Sequence, residues 1–129
     1  MATYLNGVEA LQTATISSGT SLSNAVDISS VFKSDSRAAG LFGFIMSSGW
    51  DAALLTILAS FDGGTTYIPM KSLYDGTEIT YTVNASGYFP LPNPQVFAAV
   101  TNIKLQSGIS ASPVNQTADR AIQLVLRSI

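Results

Sequence analysis

The residues of this chain that could do chemistry are few: Glu9 and Glu78, six aspartates, five tyrosines and six basic residues, with no histidine and no cysteine. Without His or Cys, every Ser-His-Asp, Cys-His, CxxC and zinc-hydrolase arrangement is closed. General acid or base work falls to the carboxylates or to shifted Tyr and Lys groups. A facing pair of carboxylates could run glycoside hydrolysis, but the acids here stand singly, as in Asp62-Gly63-Gly64 and Asp75-Gly76. Asp beside Gly is turn chemistry, because its carboxylate accepts local backbone bonds and tolerates turn conformations. The Asp62-Gly63-Gly64-Thr65 stretch lacks the alternating oxygen ligands of a calcium loop. No GxGxxG and no phosphate loop occurs. The expectation is a protein that is not an enzyme and that takes no metal or cofactor.

Binding remains. Trp50, the single tryptophan, lies in the Ser48-Gly49-Trp50-Asp51 turn. It either anchors a partner or a sugar, or folds back over the edge of the core. Tyr67, Tyr74, Tyr81 and Tyr88 would form a carbohydrate platform only if brought onto one face. Residues 1–10 and the polar stretch Gly108 to Asp119 read as contact elements, since long loops and termini are the segments that partners order. The candidate partner-contact residues are Tyr4, Leu5, Trp50, Tyr74, Pro92, Phe97, Ile109 and Val114. The basic residues Lys33, Arg37, Lys71, Lys104, Arg120 and Arg127 are scattered and form no stripe along which a phosphate backbone could run. Direct nucleic-acid binding is not expected. Asn84-Ala85-Ser86 and Asn115-Gln116-Thr117 match the glycosylation pattern, a match that chance supplies often.

These residues must be positioned by strands. Short runs of period two, separated by Gly, Ser, Asn, Asp and Pro clusters, are the pattern of a β-sandwich or barrel. The runs are Leu11 to Ser17, Leu22 to Ile28, Gly40 to Ser47, Ala52 to Phe61, Glu78 to Val83, Tyr88 to Leu91, Thr101 to Ser107 and Arg120 to Arg127. Gly40 to Ser47 is apolar on both faces, as expected of a strand covered on each side or buried at an interface. Ala52 to Phe61 reads as a strand because it is too short for a stable helix and runs into a hairpin-like loop. Pro90, Pro92 and Pro94 confine their segment to an edge or loop. Gln95 to Val100 reads as a single helical turn plugging one end. The expected fold is all-β: a two-sheet antiparallel sandwich of jelly-roll type with about eight strands, the alternative being an immunoglobulin-like sandwich. One domain spans 1–129, with residues 1–10 as a candidate N-terminal arm.

Composition agrees with a packing role. Of the 129 residues 47% are hydrophobic and only 11% charged, with a net charge of −2; typical domains carry about 25% charged residues. High apolar content and low charge argue against disorder, and a nearly neutral, hydroxyl-rich surface repels neighbours weakly. The opening MATYLNGVEA has no basic region followed by an apolar run and does not read as a secretory signal. The most apolar stretch, Ala38 to Phe61, is interrupted too often to span a bilayer as a helix.

Four segments, taken in order from residue 11 to residue 127, resemble a group of small proteins of tailed bacteriophages and prophages: LQTATISSGTSLSNAVDIS, LTILASFDGGTTY, LYDGTEITYTV and IKLQSGISASPVNQTADRAIQLVLR. The last is the most specific. The resemblance implies a virion component, with small jelly-roll cement or decoration proteins of phage heads as the nearest structural idea. It implies a major capsid protein and a second copy of the chain as partners, a homodimer being favoured over a trimer. It also implies a place on the head exterior after synthesis in the bacterial cytoplasm. It brings no catalytic residues. The alternative is a carbohydrate-binding or receptor-binding module of a phage tail or fibre.

Overall fold

Ile122, Leu124 and Leu126 alternate with more polar or half-exposed neighbours, and that pattern buries one face of a strand completely. In the computed structural model, which describes residues 9–129, all three are fully buried on the closing strand. The strands are β1 (Glu9–Ile16), β2 (Val26–Asp27), β3 (Ala39–Met46), β4 (Leu54–Ser60), β5 (Ile68–Pro69), β6 (Tyr81–Thr82), β7 (Gly87–Pro90), β8 (Asn102–Ile109), β9 (Ser112–Pro113) and β10 (Arg120–Ser128). Short 3-10 turns lie at Lys33–Asp35 and Pro94–Ala99.

One sheet has the order β1-β10-β3-β7, the other β2-β8-β4-β5, with β6 pairing β4 and β9 pairing β8; every pairing is antiparallel. The first and last strands are neighbours, and the chain crosses between sheets at β1 to β2, β2 to β3, β3 to β4, β6 to β7, β7 to β8 and β9 to β10. With β5 and β6 counted as one broken strand and β9 as a hairpin added to β8, eight principal strands remain in the jelly-roll order. The immunoglobulin-like order, which places strands A, B, E and D in one sheet, is not adopted. Between the sheets, Ile16, Leu41, Phe44, Leu55, Ile57, Ile103, Leu105 and the β10 residues form the core. Phe97, from the second 3-10 turn, plugs one end as the sequence predicts, and it is only 2% exposed.

Two predicted strands are shorter than the alternation suggests. In the run Leu22 to Ile28, only Val26 and Asp27 form a strand. The segment is a crossing between sheets: Ser23 bridges Ile16 of the first, while Leu22 bridges Gln106 of the second. The Ser23 hydroxyl accepts the Leu105 N–H at 2.9 Å and Asn24 Oδ1 accepts the Thr15 N–H at 2.8 Å, so side chains replace ladder bonds. In Glu78 to Val83, Glu78 bridges Lys71 and only Tyr81 and Thr82 reach β4.

β3 explains its own two-sided hydrophobicity. The β10 register jumps from Val125 opposite Gly43 to Leu126 opposite Leu41, leaving Phe42 as an extra residue in a bulge. Phe42 and Ile45 therefore lie on the outer face and are half-buried. Beside them the Tyr88 ring lies over Gly43, where an added Cβ would stand 2.5 Å from Tyr88 Cε1. The Tyr88 hydroxyl donates to the Phe42 carbonyl at 3.0 Å.

Candidate interaction surface

Asp62 and Asp75 are occupied in turns, as their glycine neighbours suggest, and Asp27 makes a similar local set of bonds. Asp27 accepts from the N–H and hydroxyl groups of Ser29 and Ser30. Burial pushes its carboxyl up, but those bonds from Ser30 and Ser29 together outweigh it and hold it below the usual range. Asp75 is lowered by the Thr77 N–H and hydroxyl. Asp62 accepts from the Thr66 N–H at 2.9 Å, the Ser60 hydroxyl at 2.8 Å and the Thr65 N–H at 3.1 Å, and is lowered to about 2. Glu78 accepts from the N–H and hydroxyl of Ser110. Among the described residues, no group of three or more Asp or Glu could hold a metal ion.

These lowered carboxyls set a pH dependence. Asp62 binds its proton less tightly in the folded chain than at the ordinary value of 3.8, so its contribution to stability is complete above about pH 4 and is lost as pH falls through about 2. Asp27, Asp51 and Asp75 are shifted in the same direction. The melting temperature is therefore expected to fall steadily on acidification from pH 5 to pH 2. Asp62→Asn should flatten part of that slope in differential scanning fluorimetry; an unchanged slope would show that the Asp62 turn bonds carry no such linkage.

Gln116 is the hub of the stretch that the sequence reading treats as a contact loop. Fully buried, its Oε1 accepts the Asp51 N–H at 2.8 Å and Arg120 Nε–H at 3.1 Å, while its Nε2 donates to the Ser107 hydroxyl at 2.9 Å and the Asp51 carbonyl at 3.1 Å. Its backbone joins the Ser17 to Thr20 turn through Thr20 O and the Gly19 N–H. Bonds from Thr117 first, and then the Arg120 guanidinium at 3.2 Å, hold the Asp51 carboxyl below its usual range. Gly49 makes room for that guanidinium, which occupies the place a Cβ would take. The stretch Gly108 to Asp119, which also contains β9, is thus tied to the body of the sandwich. Nothing in the local sequence signals Gln116, because its four side-chain partners come from residues 51, 107 and 120.

The candidate contact residues separate. Tyr4 and Leu5 lie outside the described residues. Trp50 is half-buried against the core and donates its indole N–H to the Ala53 carbonyl at 3.2 Å, so it folds back over the core edge. Phe97 is corrected from contact residue to core residue: its ring fills the end of the sandwich and offers a partner no surface. Ile109 is half-buried and Val114 exposed, on either side of β9. Pro92 is exposed and, with Asp75, Thr77 and Glu78, lines a concavity of about 410 Å³ beside the Tyr74 turn.

Tyr74 is the most exposed candidate, at 97%, and its neighbour Leu73, which the sequence reading omits, is wholly exposed. The turn that carries them is closed by Ser72 N–H to Thr77 O and Gly76 N–H to Ser72 O, both 2.8 Å, and by Tyr74 N–H to the Ser72 hydroxyl at 3.0 Å. An aliphatic and an aromatic side chain on a preorganised turn lose little freedom on docking. The other tyrosines are elsewhere. Tyr67 lies beneath Lys104 Nζ at 4.5 Å, Tyr81 packs edge-on against Phe44 with its hydroxyl pKa raised by burial, and Tyr88 covers Gly43 in the other sheet. They form no common platform. A second apolar feature is a groove of about 680 Å³ on the outside of the first sheet, lined by Leu11, Phe42, Tyr88 and Val125 among others.

The fold defines a class: a jelly-roll sandwich that presents apolar side chains such as Leu73 and Tyr74 to its surroundings. Among solved structures the chain is similar to the SPBc2 prophage-derived protein YomS, with a TM-score of 0.52 and 10% identity over 95% of this chain and 96% of that one. It is also similar to a protein described in Bacillus endospore appendages, a family of disulfide-linked pili, with a TM-score of 0.42 and 10% identity over 100% of this chain and 95% of that one. No family model matches the chain, and no curated protein does. At such identity the likeness to YomS is one of fold.

Proposed function

We propose that this protein is a structural component of a tailed-phage virion, a cement or decoration protein that binds the outer face of the head and reinforces contacts between capsomers. Its partners would be the major capsid protein and a second copy of itself. The observation that carries the reading is the locked Ser72–Thr77 turn with Leu73 and Tyr74 fully in solvent, on a sandwich whose described buried side-chain polar atoms are all hydrogen-bonded. A rigid body with a protruding apolar pair suits docking into a shell, where many copies of a modest contact add up. The end-to-end fold likeness to a prophage-derived protein, and the resemblance of the four sequence segments, support a phage setting. A sugar-binding module has less support, because Tyr67, Tyr74, Tyr81 and Tyr88 do not share a face.

The test is co-sedimentation of the purified protein with heads of the encoding phage prepared without it. Binding that saturates at a fixed number of copies per capsomer and raises the temperature at which the heads disrupt is the expected result. Heads that bind none, or bind it without gaining heat resistance, would overturn the reading.

A further inference from the structure

A sheet edge is a template for another strand unless something blunts it. Three of the four edges here are blunted: β2 has two residues, the opposite side of that sheet ends in the two-residue strands β5, which contains Pro69, and β6, and β7 is four residues long and ends at Pro90. β1 differs. Its eight residues pair with β10 rung by rung from Glu9 to Ile16, and its sequence EALQTATI contains no Lys, Arg or Pro.

The free side of β1 can be assigned from one rung. Thr15 donates its N–H to Asn24 Oδ1 at 2.8 Å and accepts the Asn24 N–H at 3.2 Å, so its backbone polar groups point away from β10. Direction alternates along an antiparallel strand, so those of Thr13 and Leu11 also point outward. Among the described residues no strand pairs with them. Leu11 is 54% exposed, and together with Val125, its cross-strand neighbour on β10, it opens the apolar groove that runs toward Phe42 and Tyr88.

We propose that β1 pairs antiparallel with β1 of a second copy about a twofold axis at Leu11, joining two four-stranded sheets into one of eight strands. The inference rests on the self-association in the reading above and names its surface. An antiparallel edge is self-complementary under a twofold axis, and the outward polar groups of Leu11 allow it to exchange both bonds with its symmetry mate. The rung at Thr13 then meets residue 9 of the mate, and the Asn24 cover at Thr15 stays outside the paired stretch. The two Leu11 side chains meet on the outer face and make the two grooves continuous. The strand carries a single charged residue, Glu9, whose cross-strand neighbour on β10 is Arg127, and with a net charge of only −2 little repulsion opposes the approach of an identical chain.

Sedimentation equilibrium on the full chain tests the pairing, with Leu11→Lys and Thr13→Pro as variants. Leu11→Lys changes an exposed side chain and leaves folding intact; Thr13→Pro removes only an outward N–H, and circular dichroism verifies its fold. The wild type is expected to dimerise, with the dissociation constant raised at least about tenfold by either substitution. A wild type that stays monomeric to hundreds of micromolar, or a dimer indifferent to Leu11→Lys, overturns the pairing. A monomer whose Leu11 and Thr13 amides resist hydrogen exchange also overturns it, in favour of residues 1–8 of the same chain as occupant. Co-sedimentation with heads separates this inference from the function: head binding by a persistent monomer overturns the pairing alone, while a β1-dependent dimer that ignores heads supports the pairing and overturns the capsid role.

Discussion

Gln116→Ala is expected to lower the unfolding free energy by about 3 kcal/mol, because it strips partners from several buried groups at once. The Ser107 hydroxyl and the Asp51 N–H and carbonyl lose bonds of 2.8–3.1 Å, and the Arg120 guanidinium, whose side chain is 14% exposed, loses the acceptor of its Nε–H and keeps only the Asp51 carboxylate. For a chain of this size that corresponds to a fall in melting temperature of about 10 °C. The neighbouring Asn115→Ala, at an exposed position of the same stretch, should change stability by less than about 0.5 kcal/mol. Urea denaturation of the pair separates a hub from a general sensitivity of the loop. A loss below about 1 kcal/mol for Gln116→Ala would mean that water replaces its bonds without penalty.

Leu73→Ser and Tyr74→Ser should leave stability within about 0.5 kcal/mol of the wild type, since neither side chain is covered in the free protein. Their effect falls on docking. A buried aromatic anchor at an interface is worth about 2 kcal/mol or more, so Tyr74→Ser should weaken head binding by about 30-fold. The double variant should weaken it by more than about 100-fold if both side chains enter one pocket of the shell. Titration of heads with each variant measures this. If the double variant binds as the wild type does, the tip is not the contact and the observation carrying the capsid reading is lost. If instead the variant melts markedly earlier, the turn serves folding.

How much of this was legible beforehand differs by element. The alternation of Ile122, Leu124 and Leu126, the proline-bound edge at Pro90 and the 3-10 plug at Phe97 are local patterns, and each is found where it is predicted. The same plug shows the limit of reading a single residue. Phe97, in a short segment that follows Pro90, Pro92 and Pro94, reads as a contact residue, and only the end of the sandwich closing over it makes it core. Leu22 to Ile28 alternates like a strand but serves as a crossing, because Ser23 and Asn24 bond to strands of opposite sheets. In Gly108 to Asp119 polarity suggested a loose contact loop, whereas Gln116 ties it down through residues distant in sequence. Leu73 was within reach, since it adjoins Tyr74 before Asp75-Gly76, where a turn tip is expected to be exposed.

From its own pattern the sequence determined what can be settled by period and residue type. Strands of period two with turn clusters between them dictate an all-β sandwich, and the absence of His and Cys removes whole classes of chemistry whatever the fold. It also assigned Asp62 and Asp75, each beside a glycine, to turns, because their bonds span only two to four residues. Tertiary structure alone decided which edges remain open, which tyrosines share a face and which polar side chains become buried hubs. Those outcomes depend on pairings between residues far apart in the chain: β1 beside β10, Gly43 beneath Tyr88 and Gln116 against Asp51. Hydrophobic alternation is a local property and survives reading along the chain. A surface is made by the neighbours a strand acquires or fails to acquire, and those are chosen only when the sheets assemble.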